Sequence, residues 1–135
     1  NAVEIEEAIS KLAEQPFDPM EFPYAFLEAF GNKTTTFSPE NGNTNKTDIE
    51  GAVLQYNNIH IAVCPVGEVL KMLEKLKNSS ATNRHKAKFI LATDGEEFQA
   101  EDSISGETVV CNYKDFPDHF GFFLPLAGIS TVKQI

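Results

Sequence analysis

The run Lys88-Phe89-Ile90-Leu91-Ala92-Thr93 constrains this sequence more than any other. It is almost continuously apolar and of strand length, and a strand without polar alternation is covered on both faces. The chain must therefore build a sheet with other elements packed on each side of it.

The rest of the sequence supplies those elements. Ile5, Ala8, Ile9, Leu12 and Ala13 recur at helical spacing and predict an amphipathic helix over 4–15. A second helix starts at Asp18-Pro19 or at Phe22-Pro23, carries Phe22, Phe26, Leu27 and Phe30, and ends at Gly31. Residues 31–51 turn polar, with four Asn, five Thr and three Gly, and this long aperiodic stretch predicts a mobile loop. Strands are expected at Ala52 to Gln55 and Ile59 to Cys64, joined through Tyr56-Asn57-Asn58, because Asn tolerates the left-handed conformation of tight hairpins. Val66, Val69, Leu70, Leu73 and Leu76 predict a third helix over 66–77, broken by Asn78 to Asn83. Asp94-Gly95 marks a turn into short strands at Phe98 to Glu101 and Thr108 to Asn112, and Asp115 to Gly128 forms an aromatic-rich helix or coil. This order of elements gives an α/β or α+β fold with a mixed sheet flanked by helices.

At 135 residues, 41% of them hydrophobic and 11 of them Phe, the chain has the material for one core and one domain, expected over 3–135. Asn1-Ala2 is expected to be a cloning remnant and Ile135 a domain boundary. No apolar stretch approaches the roughly 20 residues that cross a bilayer, so the domain is expected to be soluble, without membrane contact. Cys64 and Cys111, each among apolar or β-branched neighbours, suit reduced core thiols and a cytoplasmic setting.

The net charge of −9 argues against a free-standing nucleic-acid binder, but its distribution is uneven. Lys71, Lys75, Lys77, Arg84, Lys86 and Lys88 face a single acid, Glu74, within one segment. Two readings stay open: the solvent side of an amphipathic helix, or a phosphate-contacting surface that needs charge but no base specificity.

Phosphate-binding glycine loops, the G-x-S-x-G elbow, C-x-x-C and the N-P-P-Y or D-P-P-Y motif of amino-methyltransferases do not occur in the sequence. The acids Asp94, Glu96, Glu97, Glu101 and Asp102 fail the calcium-loop spacing and read as a solvated hairpin. Asp115, Asp118 and His119 lie around Pro117, where neighbouring side chains rarely converge on one ion.

One spacing carries more. Nucleases of the PD-(D/E)xK class place an Asp on one strand and E-x-K on the next, two carboxylates holding Mg²⁺ while the Lys supports the attacking water. Asp48, nine intervening residues, Asn58, one residue and His60 reproduce that layout with the second acid and the Lys replaced. Neutral Asn58 does not substitute fully for a carboxylate. His60 reads as a satisfied polar residue on a half-buried strand.

The strings Pro23 to Lys33, Asn57 to Cys64, Lys88 to Gly95 and Phe116 to Gly128 resemble the N-terminal domain of large bacterial single-chain DNA methyltransferases of type II restriction–modification systems. The resemblance spans nearly the whole chain. It implies a nuclease-like domain ahead of a helical connector, an S-adenosylmethionine-dependent adenine methyltransferase and a target-recognition domain. It implies DNA and the remaining domains of the same polypeptide as partners. With Asn58 and His60 outside the nuclease pattern, the implied role is a degenerate PD-(D/E)xK sandwich that acts as an inactive scaffold, has no cofactor or metal of its own, and touches DNA backbone through the basic segment. Thr34 to Pro39 stands where relatives are expected to be more basic. The alternatives are an active Mg²⁺-dependent endonuclease using Asp48 with Glu50 as the spare acid, and a protein-interaction module built on the acidic remainder of the surface.

Overall fold

The computed structural model describes residues 1–33 and 45–129. Helix α1 (Ala2–Glu14) is started by Asn1, whose side-chain oxygen accepts from the Glu4 amide at 3.0 Å, and it buries Ile5 and Ile9. Helix α2 (Phe22–Ala29) begins at the second of the two expected starts, with Pro23 in its first turn. Asp18 serves the turn before it, accepting from the Met20 amide at 3.0 Å.

Strands β1 (Val53–Gln55) and β2 (Ile59–Val63) form an antiparallel hairpin in which Asn57 takes φ +63°. The chain then passes through α3 (Val69–Asn78) and the short α4 (Ser80–Arg84) to β3 (Phe89–Thr93), which lies parallel to β2 with Ile59 opposite Phe89. β4 (Glu97–Asp102) and β5 (Thr108–Asn112) follow as an antiparallel meander, so the five strands stand in sequence order in one mixed sheet. A segment of 3₁₀ turns, Tyr113–Ala127, closes the described chain, with Pro117 and Pro125 inside it and a kink at His119.

All five residues of β3 are buried, because the sheet has a layer on each face. On one face, Ile59, Ile61, Phe89, Leu91, Phe98 and Ala100 pack against α1, α2 and the 3₁₀ segment. This layer is rich in aromatics: Phe98 and Phe116 stack at 4.9 Å, and Phe26 meets Phe123 edge-on at 5.2 Å. On the other face, Ala62, Ile90 and Ala92 pack against Val69, Leu73 and Leu76 of α3, with Ile49 and Ala52 alongside. No helix among the described residues is long and apolar enough to cross a membrane.

The structure corrects four expectations. α3 starts at Val69, not Val66, because Gly67 adopts φ +88° and donates its amide to the Asp94 carboxylate at 2.9 Å, leaving Val66 exposed in a turn. The break after α3 is a single extended residue, Ser79, after which Ser80–Arg84 resumes a helix. Asp94 is a buried turn residue and not part of a solvated hairpin, since its carboxylate also accepts from the Glu96 and Glu97 amides at 2.8 and 2.7 Å. Finally, the polar stretch expected to be mobile is ordered at its far end: Asn45 accepts from the Leu54 amide at 2.9 Å and donates to the Ala52 carbonyl at 3.0 Å. Residues 34–44, including Thr34 to Pro39, lie outside the described residues.

Candidate functional site

Asp48, Asn58 and His60 do not form one cluster. Asp48 lies in the turn before β1 and accepts a 2.6 Å bond from the Ser79 hydroxyl, with a further bond from the Ala81 amide. It therefore caps the start of α4, and the Ser79 hydroxyl bond is the main reason its carboxyl is held below the ordinary value. Asn58 ends the β1–β2 turn and donates to Gln55 Oε1 and, at 3.2 Å, to Asn32, whose own amide reaches the Leu126 carbonyl at 3.1 Å. That ties Asn58 to the aromatic layer.

His60 turns to the opposite layer. It is fully buried, which corrects the half-buried strand expected for it: Ile59 to Ala62 are covered on both faces. Its Nε2 lies 2.7 Å from Thr47 Oγ1 and its Nδ1 2.9 Å from Thr82 Oγ1. The Thr82 hydroxyl spends its only proton on the Leu76 carbonyl at 2.7 Å, so it must accept from His60 Nδ1–H. Nε2 is then the accepting nitrogen of a neutral ring, and the Thr47 hydroxyl gives its one proton there at 2.7 Å in preference to the Ile49 carbonyl, which stands farther off at 3.3 Å. Burial pushes the His60 pKa down to about 4, and the Asp48 charge offsets only part of that. Among the described residues every buried side-chain polar atom has a partner.

The set does not fit Mg²⁺. One carboxylate capped by Ser79, a neutral amide bonded elsewhere and a buried imidazole held between two hydroxyls leave no convergent oxygen ligands. Glu50 and Asp48 both line an open cleft of about 630 Å³ with Pro19, Met20 and Tyr24. No group of three or more His, Cys, Asp or Glu able to hold a metal occurs among the described residues.

The basic residues lie on the crossover between β2 and β3. Lys71 is drawn to Glu68 at 3.7 Å and Lys77 to Glu101 at 3.3 Å. Lys75, Arg84, Lys86 and Lys88 have no ion-pair partner among the described residues, and Lys86 holds a left-handed backbone at φ +55° where α4 ends.

Thr47, Ser79 and Thr82 are the residues that sequence reasoning missed. Their partners are 13 to 31 positions away, so no local motif announces them. Cys64 and Cys111 are free thiols as expected, each pushed up to about 11 by burial first and by nearby acids second, which keeps them protonated near neutral pH.

The chain is 24% identical over 132 residues to DNA methyltransferase A of Bacillus subtilis (strain 168), covering 97% of this chain. It spans only 15% of that relative's length. No solved structure is a significant match. The family model described as "MmeI, N-terminal domain" matches residues 1–135 from end to end, and the chain belongs to that family.

Proposed function

We propose that the chain is the N-terminal domain of a bacterial type II restriction–modification DNA methyltransferase, acting there as a catalytically silent, nuclease-derived scaffold that touches DNA backbone. The observation that carries the silent role is the fate of the three nuclease-type positions: each is consumed by bonds internal to the fold. The mixed sheet with a hairpin leading into a helical crossover is compatible with descent from a PD-(D/E)xK sandwich. Adenine methylation, with S-adenosylmethionine as donor, would belong to other parts of the parent polypeptide. This chain has no amino-methyltransferase motif, and no part of that step is assigned to its residues. The free thiols Cys64 and Cys111 suit a reducing, cytoplasmic setting.

Two experiments test the reading. Labelled methyl transfer to DNA is measured for the natural full-length chain with and without residues 3–135; no transfer by the intact chain on any DNA would remove the parent assignment. Plasmid nicking is then measured with Mg²⁺. Inert protein supports the silent scaffold, whereas nicking that disappears in Asp48→Ala would establish the active-nuclease alternative with Asp48 and Glu50 in the shared cleft.

A further inference from the structure

The two edges of the sheet are treated differently. At β1 the outward backbone groups are closed by the preceding chain: Asn45 bonds both the Ala52 carbonyl and the Leu54 amide, and the Lys46 amide donates to the Leu54 carbonyl at 3.1 Å. At β5 no strand lies outside among the described residues.

The register shows which groups are left over. The Asp102 amide donates to the Glu107 carbonyl and the Tyr113 amide to the Glu96 carbonyl, both at 2.8 Å. These bonds flank the β4–β5 pairing, in which Phe98 opposes Cys111 and Ala100 opposes Val109. Hydrogen-bonded pairs alternate along an antiparallel ladder, so Val109 and Cys111 turn their backbone groups inward. The N–H and C=O of Thr108 and Val110, with the N–H of Asn112, therefore face away from the sheet. The sequence Thr-Val-Val-Cys-Asn contains no charge, proline or bulge to blunt this edge.

Beside the edge runs a groove of about 600 Å³ on the α3 side of the sheet. Its lining includes Val66 and Val110, which are 68% and 63% exposed, together with the acids Asp94, Glu96, Glu97 and Asp115. We propose that β5 receives an added strand from a partner: an extended polypeptide segment in which Lys or Arg alternates with β-branched apolar residues. Backbone pairing at Thr108 and Val110 supplies the affinity, the valines receive the apolar side chains, and the acidic lining selects basic ones. Charge argues against a second copy as the occupant. Antiparallel β5–β5 pairing would bring two identical acidic linings together on chains of net charge −9.

The probe is a labelled nine-residue peptide of alternating Lys and Val, with a Glu–Val peptide as its counterpart, titrated against the 135-residue chain. The expected result is salt-sensitive binding of the Lys–Val peptide only, with slowed amide exchange at Thr108, Val110 and Asn112. Val110→Pro removes an outward donor without touching the inward ladder and should weaken binding by about tenfold or more while the fold is retained. Glu96→Lys with Glu97→Lys should weaken it similarly while leaving the edge intact. Equal binding by wild type and Val110→Pro would overturn strand addition, and equal binding of the two peptides would overturn the charge selection. A concentration-dependent dimer abolished by Val110→Pro would make a second copy the occupant and overturn the proposal. No binding of the Lys–Val peptide at millimolar concentration would overturn it as well.

Discussion

His60 shows how one side chain can set an acid limit on the fold. Its folded pKa of about 4 lies below the ordinary 6.5, so the unfolded chain binds the extra proton between those values. The stabilisation from neutral His60 is fully present above about pH 6.5 and falls as pH drops to about 4, where it is spent. A shift of this size corresponds to about 3 kcal/mol. The Asp48 carboxyl, held below its usual value, acts only below about pH 4, so the two windows separate. Urea unfolding across pH 4 to 7 should therefore show a steady loss in the wild type, and His60→Gln should be less stable at pH 7 but flatter across the same range. An unchanged slope in the variant would show that the ring does not titrate as its surroundings require. Gly95 gives a second test at this scale. It holds φ +89°, and a Cβ there would lie 2.6 Å from the Phe17 ring, so Gly95→Ala must strain the backbone and push the ring out of its contacts with Phe22 and Tyr113. A loss of about 2 kcal/mol or more in thermal or urea unfolding is expected.

Among the elements, β5 is where ladder geometry makes the sharpest forecast. Cys111→Pro removes an inward donor opposite Phe98 and should cost about 3 kcal/mol or unfold the meander, whereas Val110→Pro on the same five-residue strand should cost little. Circular dichroism melts of the pair check it, and equal melting temperatures would mean the register is wrong. Elements of this kind were legible in the sequence where a period was clean. The unbroken apolar run into β3 and the Leu73–Leu76 stripe of α3 reflect which faces must be buried, whereas β2, expected to be half-buried, is covered on its second face as well because α3 packs there. What was not legible depends on contacts across the chain. The start of α3 is moved by a bond from Gly67 to Asp94, 27 residues away, and α4 exists because Asp48 and Ser79, 31 residues apart, meet at its first turn. The candidate site was hidden for the same reason: the spacing of Asp48, Asn58 and His60 was visible, but the hydroxyls of Thr47, Ser79 and Thr82 that occupy it were not.

For the whole molecule, the question is whether a chain of net charge −9 can approach a polyanion at all. Long-range repulsion disfavours the encounter, yet it is screened beyond about 10 Å at 0.1 M salt, so the local crossover decides the contact. Two of its six cations are already partnered by Glu68 and Glu101 and would have to break those pairs to meet phosphate. That leaves Lys75, Arg84, Lys86 and Lys88. If these four neutralise phosphates, they should contribute about −3.6 to the slope of log affinity against log salt concentration for duplex DNA, against about −5.4 if all six take part. That contribution should not change with DNA sequence, because these contacts read charge alone. Replacing Lys75 and Arg84 by Ala should lower its magnitude by about 1.8, while Lys71→Ala should leave it nearly unchanged. The natural full-length chain is the protein to measure, by fluorescence anisotropy from 50 to 200 mM salt, with the Lys75/Arg84 variant alongside the wild type. An identical slope in that variant would place DNA contact elsewhere in the parent and leave the crossover as a solvated face of the fold.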